Sequence, residues 1–129
     1  MNSPSDRRRH LRLTRDDPVH VKIMASSVAP ELVDVTLRCS TLDVSASGIK
    51  LESAVHVPEF SEIEIWVDVS ASAQKYFLHG LVKWAAPSAQ GGNQFEIGVQ
   101  LLNMPFTDYL SWVGLFDGLE SVSHLMPRE

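Results

Sequence analysis

The chain has 129 residues, 44% hydrophobic and 21% charged, with a formal charge of -5. Those values fit one ordinary domain with a single core, and no run approaches the roughly 18 apolar residues of a membrane span. The acidic total argues against a nucleic-acid partner, yet residues 1–15 carry +4 while residues 16–129 carry -9.

The +4 comes from Arg7, Arg8, Arg9, Arg12 and Arg15 against Asp6. This stretch has neither strand nor helix periodicity, so residues 1–15 read as an arm without fixed structure of its own. The first residues lack an apolar segment behind them and give no secretory signal. The single cysteine, Cys39, can form no internal disulfide and reads as a core thiol in a reducing cytoplasm.

Asp17-Pro18 marks a boundary, because the residue before proline leaves the α region. Val19, Val21 and Ile23 then alternate with His20, Lys22 and Met24 as a first strand. Ser26 to Pro30 is a loop. From Glu31 to Leu42, alternation of Val33, Val35, Leu37, Cys39 and Thr41 with polar residues predicts one long strand. It leads into Asp43-Val44-Ser45-Ala46-Ser47-Gly48, a turn with the spacing D-x-S-x-x-G. The glycine permits positive φ or a close backbone approach. Asp43 and Ser45 can hydrogen-bond nearby backbone or a ligand above the turn.

Ile49 and Leu51 make a short third strand. Ile63, Ile65, Val67 and Val69 alternate with Glu62, Glu64, Trp66 and Asp68 as a fourth. Ser70 to Gln74 is a turn, and Lys75 to Ala86 is a fifth strand, with Leu78, Gly80, Val82 and Trp84 on one face. On that phasing Trp84 reads as a core or barrel-end aromatic rather than a stacking platform. Gly91-Gly92 supplies a hairpin loop, followed by a sixth strand carrying Phe95, Ile97, Val99 and Leu101.

Six strands with turn signals between them predict an all-β sandwich or small barrel, and closure into a barrel, which removes exposed sheet edges, is favoured. After Pro105, Thr107 is a plausible N-cap, with Asp108 in the first turn of a C-terminal helix. Tyr109, Trp112 or Val113, Phe116 and Leu119 recur at its spacing, while Gly114 and Gly118 weaken it by roughly 1 kcal/mol each relative to alanine. Ser121 to Glu129 is a loose tail. The expected organisation is an arm (1–15), a barrel (16–104) and a helix with tail (105–129).

The five histidines are scattered, and no H-E-x-x-H, C-x-x-C, phosphate loop or G-x-S-x-G elbow occurs. No metal site, cofactor or catalytic set is expected. What remains is the arm and the turn. Guanidinium groups bind phosphate bidentately and stack on flat rings. A carboxylate such as Asp43 can accept paired hydrogen bonds from a guanine edge.

Arg8-Arg9-His10-Leu11-Arg12, an R-x-x-x-R, lies about thirty residues before the D-x-S-x-x-G turn. Together, and with Gly80-Leu81-Val82-Lys83-Trp84 and Ile97-Gly98-Val99-Gln100-Leu101 following in order, these motifs resemble the PilZ domain family over roughly residues 6–103. The resemblance implies an all-β fold, a six-stranded antiparallel split β-barrel, that binds cyclic di-GMP, a bacterial second messenger. Arg8 and Arg12 would grip phosphates and stack on guanine, Asp43 and Ser45 would read the guanine edge, and Gly48 would keep the surface clear.

Arg7 and Arg9 are added to the site because the ligand is a dianion, and an intercalated pair of ligands per chain would need their charge. The implied role is a non-enzymatic, stand-alone cytoplasmic receptor or adaptor, monomer or homodimer, that switches a downstream protein in motility or biofilm formation. The rival reading is a nucleic-acid or anionic-membrane binder using the basic arm, which the acidic body disfavours.

Overall fold

The structure, a computed structural model, describes residues 18–69, 74–89 and 91–116. It holds six strands: β1 (Pro18–Ala25), β2 (Thr36–Val44), β3 (Gly48–Ser53), β4 (Glu62–Val69), β5 (Gln74–Pro87) and β6 (Phe95–Leu102). They close into a barrel in the order β1-β2-β3-β6-β5-β4, with every pair antiparallel and β1 bonded to both β2 and β4. A helix, α1, covers residues 109–116. The expected all-β barrel with a C-terminal helix is the fold observed.

Strict alternation explains the core. Val19, Val21 and Ile23 of β1, Ile63, Ile65 and Val67 of β4, and Ile97, Val99 and Leu101 of β6 all point inward and are buried. Burying each such side chain contributes roughly 1.5–3 kcal/mol. Cys39 lies in this cluster, as expected of a core thiol. Burial pushes its thiol pKa up, and a hydrogen bond with Ser53 offsets part of that.

The long strand expected from Glu31 is shorter at its start. Pro30 fixes φ at the head of a one-turn 3-10 helix, Pro30–Leu32. Asp34 then takes a left-handed φ of 71°, so regular pairing begins only at Thr36. The alternating valines of this segment still contribute: Ile23 donates its N–H to the Val35 carbonyl, and Asp34 donates to the Ile23 carbonyl.

The helix start also differs from expectation. The first helical bond runs from the Trp112 N–H to the Asp108 carbonyl at 2.8 Å. Thr107 Oγ1 still accepts the Tyr109 N–H at 3.4 Å, as expected of a capping hydroxyl, while the backbone boundary of the helix falls at Asp108. The Asp108 carboxylate serves the barrel. The last β6 pairing is Leu102 with His79, so β5 outruns β6 at Phe77. The Phe77 N–H donates to Asp108 Oδ2, and the Asp108 N–H donates to the Phe77 carbonyl, both at 2.8 Å. The helix thus completes a strand end and buries Trp112 and Phe116 in the core.

Gly114 is exposed, and a Cβ added there meets nothing within 4 Å. Gly114→Ala should raise unfolding stability by about 0.4–1 kcal/mol, read as a higher urea midpoint with an unchanged m-value.

Candidate functional site

The turn between β2 and β3 is built by one side chain. Ser45 donates its backbone N–H to the Gly48 carbonyl at 2.9 Å. Its hydroxyl donates to the same carbonyl and accepts the Gly48 N–H, both at 3.2 Å. The Leu101 N–H binds the Ser47 carbonyl at 3.0 Å, anchoring the turn to β6. With its proton committed, the Ser45 hydroxyl keeps one lone pair and can serve a ligand only as an acceptor.

Gly48 answers the two alternatives left open for it. The positive-φ glycines among the described residues are Gly91 and Gly92, in the hairpin loop. Gly48 is needed for close approach instead: a Cβ there would lie 2.9 Å from the Val99 carbonyl oxygen.

Two irregularities set what faces outward beside this turn. The β2–β3 register slips between Thr41 and Asp43, and the β5–β6 register slips between Val82 and Trp84. A one-residue slip sends the next side chain to the other face. Asp43 pairs with Lys50, Lys50 with Gly98, and Gly98 with Trp84. A carboxylate, an ammonium, a glycine and an indole thus form one transverse row on the outside of four strands. Gly98 makes the indole's position possible: a Cβ there would fall 2.2 Å from the Trp84 ring. The ring therefore lies against the strand backbone.

Trp84 is 40% exposed. The inward placement expected for it fails because the slip after Val82 breaks the period-two phase. Sequence reasoning missed it as a surface aromatic. The signal available was Gly98, a strand glycine with no turn to explain it.

The row, the turn, Lys83 and Gln100 line an open cavity of about 460 Å³. Its described charges are Asp43, Lys50 and Lys83, and Lys50 already lies 3.6 Å from Glu96. Asp43, Ser45 and Gly48 are thus brought together in one cavity. Arg7, Arg8, Arg9 and Arg12 lie outside the described residues. Among the described residues no cluster of His, Cys, Asp and Glu could hold a metal ion, and no helix is long and apolar enough to cross a membrane.

Adding a methyl group at Gly98 should lift the indole off the sheet. Gly98→Ala is expected to red-shift tryptophan emission, and the shift should vanish in a Trp84→Phe background; an unchanged spectrum would show the ring does not rest there.

Residues 6–112 match the sequence profile of the PilZ domain. The search of curated proteins found no match. Among solved structures, the inhibitor of motility MotI/DgrA of Bacillus subtilis superposes with a TM-score of 0.62 at 10% identity. That alignment covers 92% of this chain but 51% of the Bacillus chain, so this chain spans about half its length. The PilZ domain of YcgR with c-di-GMP from Escherichia coli gives 0.54 at 14% identity, covering 95% of this chain and 98% of that one. The PilZ domain of CeSA from a cellulose-synthesizing bacterium gives 0.53 at 17%, covering 84% and 97%. At such identities the superpositions establish the fold, and the profile match over most of the sequence establishes the lineage: the chain belongs to the PilZ domain family.

Proposed function

We propose that this chain is a non-enzymatic receptor for cyclic di-GMP that acts on a downstream protein. The observation that carries this reading is the single cavity shared by the Asp43–Gly48 turn and Trp84. Family membership supports it, as does the E. coli YcgR domain, whose structure is described as containing c-di-GMP.

The chemistry of the turn favours guanine. Asp43 offers carboxylate oxygens, and Ser45 offers one remaining lone pair. The Watson–Crick edge of guanine presents adjacent donors, an N–H and an amino group. Adenine presents one donor beside an acceptor, which would face these oxygens unfavourably. Cyclic di-AMP should therefore bind at least about tenfold more weakly, since each unmet hydrogen bond to a charged group costs roughly 1.5–3 kcal/mol.

The phosphates need a different source. Lys50 shares its charge with Glu96, which leaves Lys83 against Asp43 in the cavity. A dianion therefore requires the arm, with Arg8 and Arg12 on phosphate and guanine and Arg7 and Arg9 adding charge. Register makes this reachable. Pro18 pairs with Ser40, so the chain enters the barrel on the strand beside Asp43 and at the same end. The segment from Arg12 to Pro18 can extend roughly 20 Å, at about 3.3–3.6 Å per residue. On this reading, residues 1–15 are the arm, 16–104 the barrel and 105–129 the helix and tail. Ordering the arm costs about 1–2 kcal/mol per backbone residue, so ligand contacts select a closed state that is sparse without them. The closed arm is the new surface that a partner in motility or surface attachment would read.

Calorimetric titration with cyclic di-GMP tests the assignment. Arg8→Ala and Asp43→Ala should each weaken binding by at least about tenfold, the magnitude of one lost charged hydrogen bond. Asp43→Ala should leave retention on heparin unchanged, because a basic arm holding a generic polyanion does not use the turn. Equal affinity in wild type and both variants would remove the site. Two ligands per chain are expected; a stoichiometry of one would remove only the stacked pair.

A further inference from the structure

The turn is also held from beneath by a residue 67 positions away. The Trp112 indole Nε1–H donates to the Ser45 carbonyl at 2.9 Å. Trp112 is completely buried. Tyr76 meets its ring edge-on at a centroid distance of 5.4 Å, and Phe116 packs at 5.3 Å. Trp112 belongs to α1, whereas Tyr76 belongs to β5.

A buried indole N–H usually finds some acceptor, and many backbone carbonyls would serve. Here the acceptor belongs to the residue whose other polar groups already shape the cavity floor. The Ser45 N–H and hydroxyl both close on Gly48, inside the turn. The carbonyl is the Ser45 group that reaches out of the turn, and it reaches α1. An indole N–H donates along one fixed direction from a ring clamped by two aromatic neighbours. The Ser45 peptide cannot rotate without losing that bond or moving the ring. Leaving the N–H of a fully buried indole unpaired is itself costly.

We propose that Trp112 is a positioning residue for the ligand site: its N–H sets the Ser45 carbonyl, and through it the turn, and it obliges α1 to shift whenever the turn shifts. This rests on the receptor reading only for the identity of the ligand. The link itself is a property of the free protein. Linkage makes it reciprocal: a ligand that pins the turn pins α1, and a partner that holds α1 in that position raises ligand affinity.

The test is amide hydrogen exchange on wild type and Trp112→Phe, which keeps the ring but deletes the donor. In the free variant, the amides of Ser45, Gly48 and Leu101 should exchange roughly five- to tenfold faster, the effect of one net hydrogen bond. Amides of Leu78 and Val82 in the barrel wall should be unchanged. Turn amides that keep their protection, or that exchange faster only in parallel with the wall, overturn the proposal. With cyclic di-GMP added, α1 amides of the wild type should slow, while those of Trp112→Phe should not respond even as the turn does. Equal α1 responses in both also overturn it.

If the wild type binds no cyclic di-GMP, the receptor reading fails, and the free-protein comparison decides the Trp112 link alone. Should Trp112→Phe fail to fold, the wild-type indole resonance takes its place, identified by removing the other two indoles with Trp66→Phe and Trp84→Phe. It should move with the same titration midpoint as the turn amides, and a resonance that stays fixed while they move refutes the link.

Discussion

Closure of β1 onto β4 is the constraint on which the rest of the molecule depends. Because β1 pairs on both sides, no strand of the barrel carries a free edge along its paired length. Recognition by strand addition, the usual use of an exposed edge, is therefore excluded from the wall. The interior is occupied by side chains such as Val19, Ile23, Ile65, Leu78 and Val82, which are fully buried. Among the described residues, a ligand can meet the barrel on its outer face or at a rim. Antiparallel order brings the entrance of β1 to the rim where β2 ends in the Asp43–Gly48 turn.

On an ideal barrel that outer face would be a regular array of polar side chains. Two register slips break the regularity, one on each flank of the β3–β6 pair. Each bends its strand and redirects a side chain. Their combined result is the row from Asp43 to Trp84, with Gly98 as the vacancy that lets an indole lie against backbone. The site is thus made of two departures from ideal strand geometry on one side of the barrel; the remaining slip, between Ile23 and Ala25, lies in the β1–β4 pair, which lines no part of the cavity. The helix adds a third support. Asp108 ties its start to Phe77, and Trp112 ties its middle to Ser45.

What could be seen in the sequence divides along the same line. Period-two alternation in β1, β4 and β6 reports burial directly, so those strands and the barrel were legible. The D-x-S-x-x-G spacing was legible because its glycine and serine act locally, within four residues. Events that depend on a partner strand were not. Val33 and Val35 alternate like a strand, but Pro30 and the left-handed Asp34 divert the chain before it can pair. Trp84 carries the inward phase of Val82 on paper and loses it to a slip defined by β6. Asp108 looked like a helix-dipole residue because its true partner, the Phe77 backbone, is 31 positions away. The arginines of residues 7–12 show no strand or helix periodicity, and the R-x-x-x-R spacing among them gains meaning only with its distance from the turn.

That separation of charge bears on what the proposed arm can hold. The arm carries +4 and the remainder -9. At physiological salt, exposed charges act over roughly 8 Å. A compact dianion resting above the turn would lie within reach of the arginines and interact little with the surface beyond. A long polyanion attracted by the same arginines would have to continue across acidic barrel surface, past residues such as Glu62, Glu64 and Asp68 on the outer face of β4. Repulsion along that length rises with every added phosphate, whereas attraction is limited to the arm. The acidic body therefore does not oppose anion binding as such. On the proposed reading it sets a size limit, and the ligand best matched to it would be small, doubly charged and flat enough to sit beside an indole.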